Sequence, residues 1–110
     1  MTPTRFYPEL NIVTDEAKRF YWLGVTPAKT DAFARIQASL KNDVLLVQTE
    51  NVRDVVVELD NVSKLITFSN FDIRSDTQLH LSIKRNGKTL FETTAELSRT
   101  GELPKSLFER

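Results

Sequence analysis

The single histidine of this 110-residue chain, His80, is the first residue to consider for chemistry. An imidazole acts as a general base or a metal ligand only beside a nucleophile, an acid or further ligands. His80 lies on the polar side of an alternating segment, between Leu79 and Leu81, with no such partner close in sequence. The chain also lacks a Gly-x-Ser-x-Gly segment, which holds the nucleophile of many hydrolases on a strained turn. We therefore interpret His80 as a solvated strand residue.

Carboxylates are the second group that could do chemistry, and the candidates are Asp54, Glu58, Asp60, Asp72 and Asp76. Two carboxylates could hydrolyse a glycosidic bond, and Asp72 with Asp76 could contribute to a calcium site. The segment does not have the Asp-x-Asp-x-Asp-Gly spacing of a calcium loop. Most of these acids fall at predicted strand ends and turns, where Asp bonds to its own backbone. We expect no catalytic residue, no metal and no cofactor.

Tyr21 and Trp22 are the candidate residues for a contact with a ligand or with another domain. They stand in the most aromatic run of the chain, residues 20–25. Neighbouring residues of a strand point to opposite faces, so one ring is expected inside the protein and the other at its surface. Core packing is the favoured interpretation. The alternatives are a contact between domains and stacking on a sugar ring.

The strands that position these residues are predicted from the alternation of apolar and polar side chains. Segments such as residues 34–40 and 79–84 place apolar side chains on one side and polar ones on the other, as half-buried strands do. Residues 70–76 read as a loop from which Phe71 and Ile73 point inward, and Asn42-Asp43 reads as a tight turn. The predicted strands before that loop are residues 10–14, 20–25, 32–41, 44–49, 54–59 and 65–68.

The surest local prediction is a hairpin around Asn86-Gly87, because this pair favours the two-residue turn that matches strand twist. Residues 79–85 and 88–97 are its two strands, and Gly101 is expected to end the sheet region. Residues 103–109 predict one or two helical turns that begin at Pro104. About seven or eight short strands with almost no helix predict an all-β, immunoglobulin-like antiparallel β-sandwich with a short C-terminal helical turn.

Composition places the chain among ordinary globular domains and excludes several function classes. Its length predicts one domain over residues 1–110, with an extended lead-in at 1–8 and a tail at 102–110. Fifteen basic and fifteen acidic residues balance, which argues against nucleic-acid binding. The absence of cysteine excludes disulfides and thiol chemistry. No apolar run is long enough to predict a membrane span, and residues 1–5 do not resemble a signal peptide.

Six short segments, in this order, carry a resemblance to a known family. They are Arg5-Phe6-Tyr7-Pro8, Tyr21-Trp22-Leu23, Ala34-Arg35-Ile36-Gln37-Ala38, Asn61 to Leu65, Asn86-Gly87-Lys88 with Leu90-Phe91-Glu92, and Ser106-Leu107-Phe108-Glu109-Arg110. Together they resemble the C-terminal β-sandwich tail of exported bacterial α/β-hydrolase-like proteins, a group of esterases, phospholipases and peptidases. In that family a tryptophan-containing strand opens the tail, and a Ser-Leu-x-Glu-Arg segment closes it.

The resemblance implies a non-catalytic accessory domain that belongs to a larger exported protein, periplasmic or extracellular. The nucleophile and its partners would lie upstream, and no residue here corresponds to them. The partner would be the parent's catalytic domain, through inter-domain packing or substrate presentation, and the isolated domain would tend to self-associate. The alternative is a free-standing β-sandwich module that binds carbohydrate or another ligand. An enzyme in its own right would need an inward-facing polar cluster that the sequence does not display.

Overall fold

The structure is a computed structural model and describes residues 7–62 and 66–108. Within these ranges the chain forms ten strands and two short 3₁₀-helices. The strands are β1 (Glu9–Thr14), β2 (Lys18–Phe20), β3 (Leu23–Pro27), β4 (Ala34–Ser39), β5 (Val44–Glu50), β6 (Val52–Glu58), β7 (Asn70–Ser75), β8 (Leu79–Arg85), β9 (Lys88–Ala95) and β10 (Ser98–Glu102). The 3₁₀-helices are Leu59–Asn61 and Lys105–Leu107.

Two five-stranded sheets pack face to face, which confirms the predicted all-β sandwich. Sheet 1 has the order β1-β4-β5-β7-β10, and sheet 2 has the order β2-β3-β6-β8-β9. The prediction of wholly antiparallel pairing is wrong at one place in each sheet. Strands β5 and β7 are parallel in sheet 1, as are β6 and β8 in sheet 2.

The parallel pairs arise because the chain changes sheet instead of turning back on itself. A single residue, Asn51, separates β5 in sheet 1 from β6 in sheet 2, and its φ is 56°. The chain returns to sheet 1 at the other end of the sandwich, so β7 runs in the same direction as β5. Strand β8 then repeats the relation beside β6. Below, the end with this crossing is the Asn51 end, and the opposite end, where β1 begins, is the Tyr7 end.

Some of the predicted elements differ from the structure. Residues 70–76 were expected to form a loop, but Asn70–Ser75 is the strand β7, inside sheet 1. Its Asn and Asp residues suggested a turn, yet they alternate with Phe71 and Ile73, which are buried as predicted. The aromatic run 20–25 is not one strand, because the chain turns at Tyr21, whose φ is 56°.

Three local predictions are confirmed. Asn86 and Gly87 have φ of 52° and 78° and join β8 to β9 in an antiparallel hairpin. Asn42 and Asp43, with φ of 58° and 64°, form the turn between β4 and β5. The C-terminal helical turn is the 3₁₀-helix Lys105–Leu107, which follows Pro104.

The core fills the space between the sheets with the inward residues of every long strand. The largest fully buried side chains include Trp22 and Phe68. At the Tyr7 end, the ring of Phe108 meets that of Phe68 edge-on at 5.0 Å between centroids, and Leu103 and Leu107 are buried beside the C-terminal turn. The tail therefore covers the core instead of trailing from it.

Some sequence predictions fall on residues outside the described ranges. They include most of the extended lead-in (residues 1–6), the start of the predicted strand 65–68 and the last two residues of the tail, 109 and 110. Residues 66–68 are described and form no strand, so the prediction of a strand at 65–68 is wrong over its described part. Within the described ranges, no helix is both long enough and apolar enough to cross a membrane.

Gly101, where the sheet region was expected to end, lies within β10, which ends one residue later at Glu102. An inner ring packs against the backbone of Gly101. A Cβ atom added there would lie 2.9 Å from Cζ of the buried Phe71. That ring also contacts Phe91, at 5.6 Å between centroids, so it has little room to move. We expect Gly101→Ala to lower the free energy of unfolding by about 1–2 kcal/mol through overpacking. Urea unfolding followed by Trp22 fluorescence measures the loss.

Gly24 offers a matched control for this substitution, since it is also a strand glycine. A Cβ atom there would lie 3.5 Å from Cβ of Val56, an ordinary contact distance. Gly24→Ala should therefore change the free energy of unfolding by no more than about 0.5 kcal/mol. Equal losses in the two variants would contradict the overpacking argument.

Candidate binding face

The outer face of sheet 1 carries a groove of about 620 Å³ in volume. A second hollow of about 220 Å³ continues it toward the Tyr7 end. The combined volume falls within the roughly 300–1,000 Å³ typical of small-molecule sites. The main groove is lined by Asn11, Ile12, Val13, Arg35, Ile36, Gln37, Gln48, Thr49, Glu50, Arg74, Ser75 and Asp76.

A row of long planar polar side chains crosses the floor of the groove. Asn11 on β1 is paired with Gln37 on β4, Gln37 with Gln48 on β5, and Gln48 with Arg74 on β7. Outward residues paired in this way across a sheet stand side by side. Because neighbouring strands lie ~4.8 Å apart, the row extends over roughly 14 Å.

The amides of this row have no hydrogen-bond partner in the described part of the chain. Within residues 7–62 and 66–108, the side chains of Asn11, Gln37 and Gln48 make no hydrogen bond to another protein group. A carboxamide offers two N–H donors and one carbonyl acceptor. Three such groups therefore present both kinds of hydrogen-bonding atom to whatever occupies the groove.

The charges that line the groove cancel. Arg35 and Arg74 are positive, and Glu50 and Asp76 are negative, so the formal sum is zero. Arg35 faces Glu50 across the β4–β5 pair. The face is therefore polar without a field that would select either an anion or a cation.

An apolar margin borders the groove at the Asn51 end. Val13, on β1, is 59% exposed, and Phe33, immediately before β4, is 64% exposed. Phe33 stands two residues before Arg35, which places it on the outer side of the chain as it approaches β4. The groove thus combines hydrogen-bonding groups on its floor with bare apolar surface at its margin.

Trp22, one of the two predicted contact residues, lies entirely inside the protein. Its side chain is 0% exposed, and its indole N–H donates to the backbone oxygen of Tyr7 over 2.7 Å. It can therefore contact neither a ligand nor another domain, and its burial agrees with core packing, the favoured interpretation. The ring is buried because the chain turns just before it, at Tyr21.

Tyr21, the other predicted contact residue, is 62% exposed and packs against Tyr7. The two rings are tilted, with centroids 5.2 Å apart. The backbone oxygen of Tyr21 accepts a hydrogen bond from the Asn61 amide over 3.0 Å. This tyrosine pair, Tyr7 and Tyr21, lies at the Tyr7 end of the sandwich, away from the main groove.

His80 lies on the outer face of sheet 2, as predicted from its place on the polar side of an alternating segment. It also has neighbours that are distant in sequence and were not predicted. The β8–β9 hairpin places its Nε2 3.3 Å from a Glu92 carboxylate oxygen and its Nδ1 3.3 Å from Oγ1 of Thr94. The pair with Glu92 is largely exposed to solvent. Such an exposed cross-strand pair is a common surface feature and adds little stability.

Three of the carboxylates considered for chemistry each have a separate protein partner. Asp72 pairs with Arg74, with 3.7 Å between the charged atoms, and Asp76 accepts the backbone N–H of Asn51 over 2.9 Å. Asp60 accepts the backbone N–H of Asn86 over 2.8 Å. Across the described residues, no group of three His, Cys, Asp or Glu side chains is placed to hold a metal ion.

Sequence reasoning missed the groove because its residues are distant in the chain and individually unremarkable. Asn11, Gln37 and Gln48 belong to three strands, and each occupies an ordinary outward position. Alternation alone predicts that they are exposed, but only the strand order β1-β4-β5-β7 makes them neighbours. The usable signal was the choice of amides, instead of charged residues, at the middle outward position of each strand.

Comparison of the chain with protein-family models, with curated proteins and with solved structures finds no match. Its function is therefore inferred from its residues and their geometry.

Proposed function

We propose that this chain is a non-catalytic accessory domain of an exported bacterial hydrolase and packs against the catalytic domain through the tyrosine pair. The observation that carries the proposal is the exposed Tyr7–Tyr21 surface at the point where the chain enters the sandwich. A domain attached through residues 1–6 would lie next to it. The resemblance to hydrolase C-terminal tails supports the same arrangement.

Hydrogen bonds hold the backbone of both tyrosines, which favours a role in contact. The indole of Trp22 fixes the backbone of Tyr7, and the Asn61 amide fixes that of Tyr21. The N–H of Leu40 also donates to the oxygen of Pro8 over 2.9 Å, so the incoming chain is fastened on both sides. A backbone that is already held loses less entropy on binding, and tyrosine is enriched in protein interfaces.

The area that the proposed contact should bury is estimated from interfaces between domains in other proteins. Interfaces between domains of one chain bury roughly 600–1,500 Å². The tyrosine pair would form the apolar centre of such an interface, with polar groups such as Asn61 at its margin. In the isolated chain this surface is bare, and weak self-association through it is expected.

A substitution at Tyr21 tests the contact. We expect Tyr21→Ser to weaken self-association of the isolated chain by about tenfold, because buried tyrosines are common interface hot spots. Phe33→Ser is the control, since Phe33 is an aromatic residue of similar exposure at the opposite end. Sedimentation equilibrium over a range of concentrations measures both.

Two outcomes would contradict the proposal. One is self-association that responds equally to Tyr21→Ser and Phe33→Ser. The other comes from the gene: the coding sequence upstream of Met1 should continue in frame into a hydrolase, and a stop codon with a ribosome-binding site there would exclude an upstream domain. In the longer protein, backbone amides near Tyr21 should exchange hydrogen more slowly than in the isolated chain.

A ligand-binding module is the second candidate, and the groove on sheet 1 favours it. The version based on stacking a sugar against Trp22 fails, because that ring is buried. The groove supplies a different surface, which does not overlap the tyrosine pair. Both roles can therefore coexist in one domain.

A further inference from the structure

We propose that the outer face of sheet 1 binds a neutral oligosaccharide that lies across strands β1, β4, β5 and β7. The row of Asn11, Gln37, Gln48 and Arg74 crosses these strands, and the groove above it has a volume of about 620 Å³. The row is roughly 14 Å long, which suits an extended ligand better than a compact one.

The hydrogen-bonding groups of the floor suit hydroxyl groups. Each sugar hydroxyl both donates and accepts, and each carboxamide of Asn11, Gln37 and Gln48 offers both functions. None of these amides is engaged by the described part of the protein. A ligand can use them without breaking existing bonds, apart from those to water.

The balance of charge selects a neutral ligand. Two guanidinium groups and two carboxylates line the groove, so an anionic ligand would gain from Arg35 and Arg74 but be repelled by Glu50 and Asp76. A fully apolar ligand would leave the amides without partners, at a free-energy cost. A neutral polyhydroxylated ligand meets neither difficulty.

The apolar margin formed by Val13 and Phe33 also suits a sugar ligand. Sugar rings have apolar C–H faces as well as hydroxyl edges, and the bare side chains of Phe33 and Val13 at the Asn51 end offer surface for such a face. The tyrosine pair lies at the other end of the sandwich. A catalytic domain attached at the Tyr7 end would therefore leave the main groove open.

The test uses ¹⁵N-labelled protein and a panel of neutral tetrasaccharides built from glucose, mannose, xylose or N-acetylglucosamine, with tetragalacturonate as the anionic comparison. We expect at least one neutral probe to shift the side-chain NH₂ signals of Asn11, Gln37 and Gln48. The NH₂ signal of Gln78, an exposed residue outside the groove, should not move. Panel members are added to millimolar concentration.

Variants then locate the site. Gln48→Ala should weaken binding of the responding probe by about tenfold, the effect of losing hydrogen bonds worth ~1.4 kcal/mol. Asn11→Ala, on an edge strand, serves as a second variant, and far-UV circular dichroism verifies the fold of each. Gln78→Ala is the matched control and should bind as the unsubstituted protein does.

Three results would overturn the proposal: no groove amide moves with any neutral probe, tetragalacturonate binds more tightly than every neutral probe, or Gln78→Ala loses as much affinity as Gln48→Ala. The docking proposal is judged separately. Tyr21→Ser should leave the affinity for the probe unchanged, so either proposal can fail alone.

Discussion

Replacement of Trp22 by alanine is expected to destabilise the domain by about 3–5 kcal/mol. The side chain is completely buried, so its removal leaves a cavity that neighbouring side chains fill only in part. The substitution also leaves the backbone oxygen of Tyr7 without the indole donor, which lies 2.7 Å away. Since small domains are stable by only about 5–15 kcal/mol, a large share of the molecules should unfold on mild heating.

Urea unfolding followed by far-UV circular dichroism measures the loss, because Trp22 is the only tryptophan and its fluorescence disappears with it. Trp22→Phe is the control. It keeps most of the apolar ring but removes the indole N–H, so its cost should be about 1–2 kcal/mol. A loss below about 1 kcal/mol for Trp22→Ala would mean that the ring does not support the core as its burial indicates.

Local turn chemistry explains most of what could be predicted from the sequence. Asn42-Asp43 and Asn86-Gly87 adopt positive φ readily, so their turns follow from residue type alone. Period-2 alternation likewise predicts which side of each strand is buried. Phe71 and Ile73 were expected to point inward from a loop, and they are buried, but in the strand β7.

Sheet partnership could not be predicted in the same way. Only Asn51 separates β5 from β6, and by residue type it fits a hairpin within one sheet as well as a crossing to the other sheet. The turn at Tyr21 was hidden for a related reason: an aromatic residue at positive φ is rare, and a run of aromatics is typical of a strand.

The candidate binding face could not be predicted from the sequence for the same reason. The amides of Asn11, Gln37 and Gln48 become one row only when β1, β4 and β5 are adjacent. That adjacency is a property of the whole fold. The sequence predicted a polar exterior, whereas the groove depends on the order in which the exterior strands are assembled.

Replacement of Asn51 is the most direct test of the crossing from β5 in sheet 1 to β6 in sheet 2. Its left-handed backbone turns β5 into β6, and its side chain holds the segment that leads to β4. The amide accepts the N–H of Lys29 over 2.9 Å and donates to the oxygens of Lys29 and Ala32 over 3.0 and 3.1 Å. One side chain therefore anchors a loop that is more than 18 residues away in sequence.

Asn51→Ala is expected to lower the free energy of unfolding by about 2–3 kcal/mol. Part of this is the strain of a Cβ-bearing residue without a polar side chain at positive φ, about 1 kcal/mol, and the rest is the lost hydrogen bonds. Urea unfolding followed by Trp22 fluorescence measures the total, since the indole is far from the substitution.

Asn51→Gly separates the two contributions, because glycine accepts positive φ but cannot hold the loop. Its cost should be about 1–2 kcal/mol, less than that of alanine. If the glycine and alanine variants lose the same free energy of unfolding, backbone strain contributes nothing. If the glycine variant is as stable as the unsubstituted protein, the side-chain hydrogen bonds contribute nothing. In the glycine variant, hydrogen exchange should quicken around Lys29 and Phe33 but not in the β8–β9 hairpin, because the crossing survives while its anchor to the loop is lost.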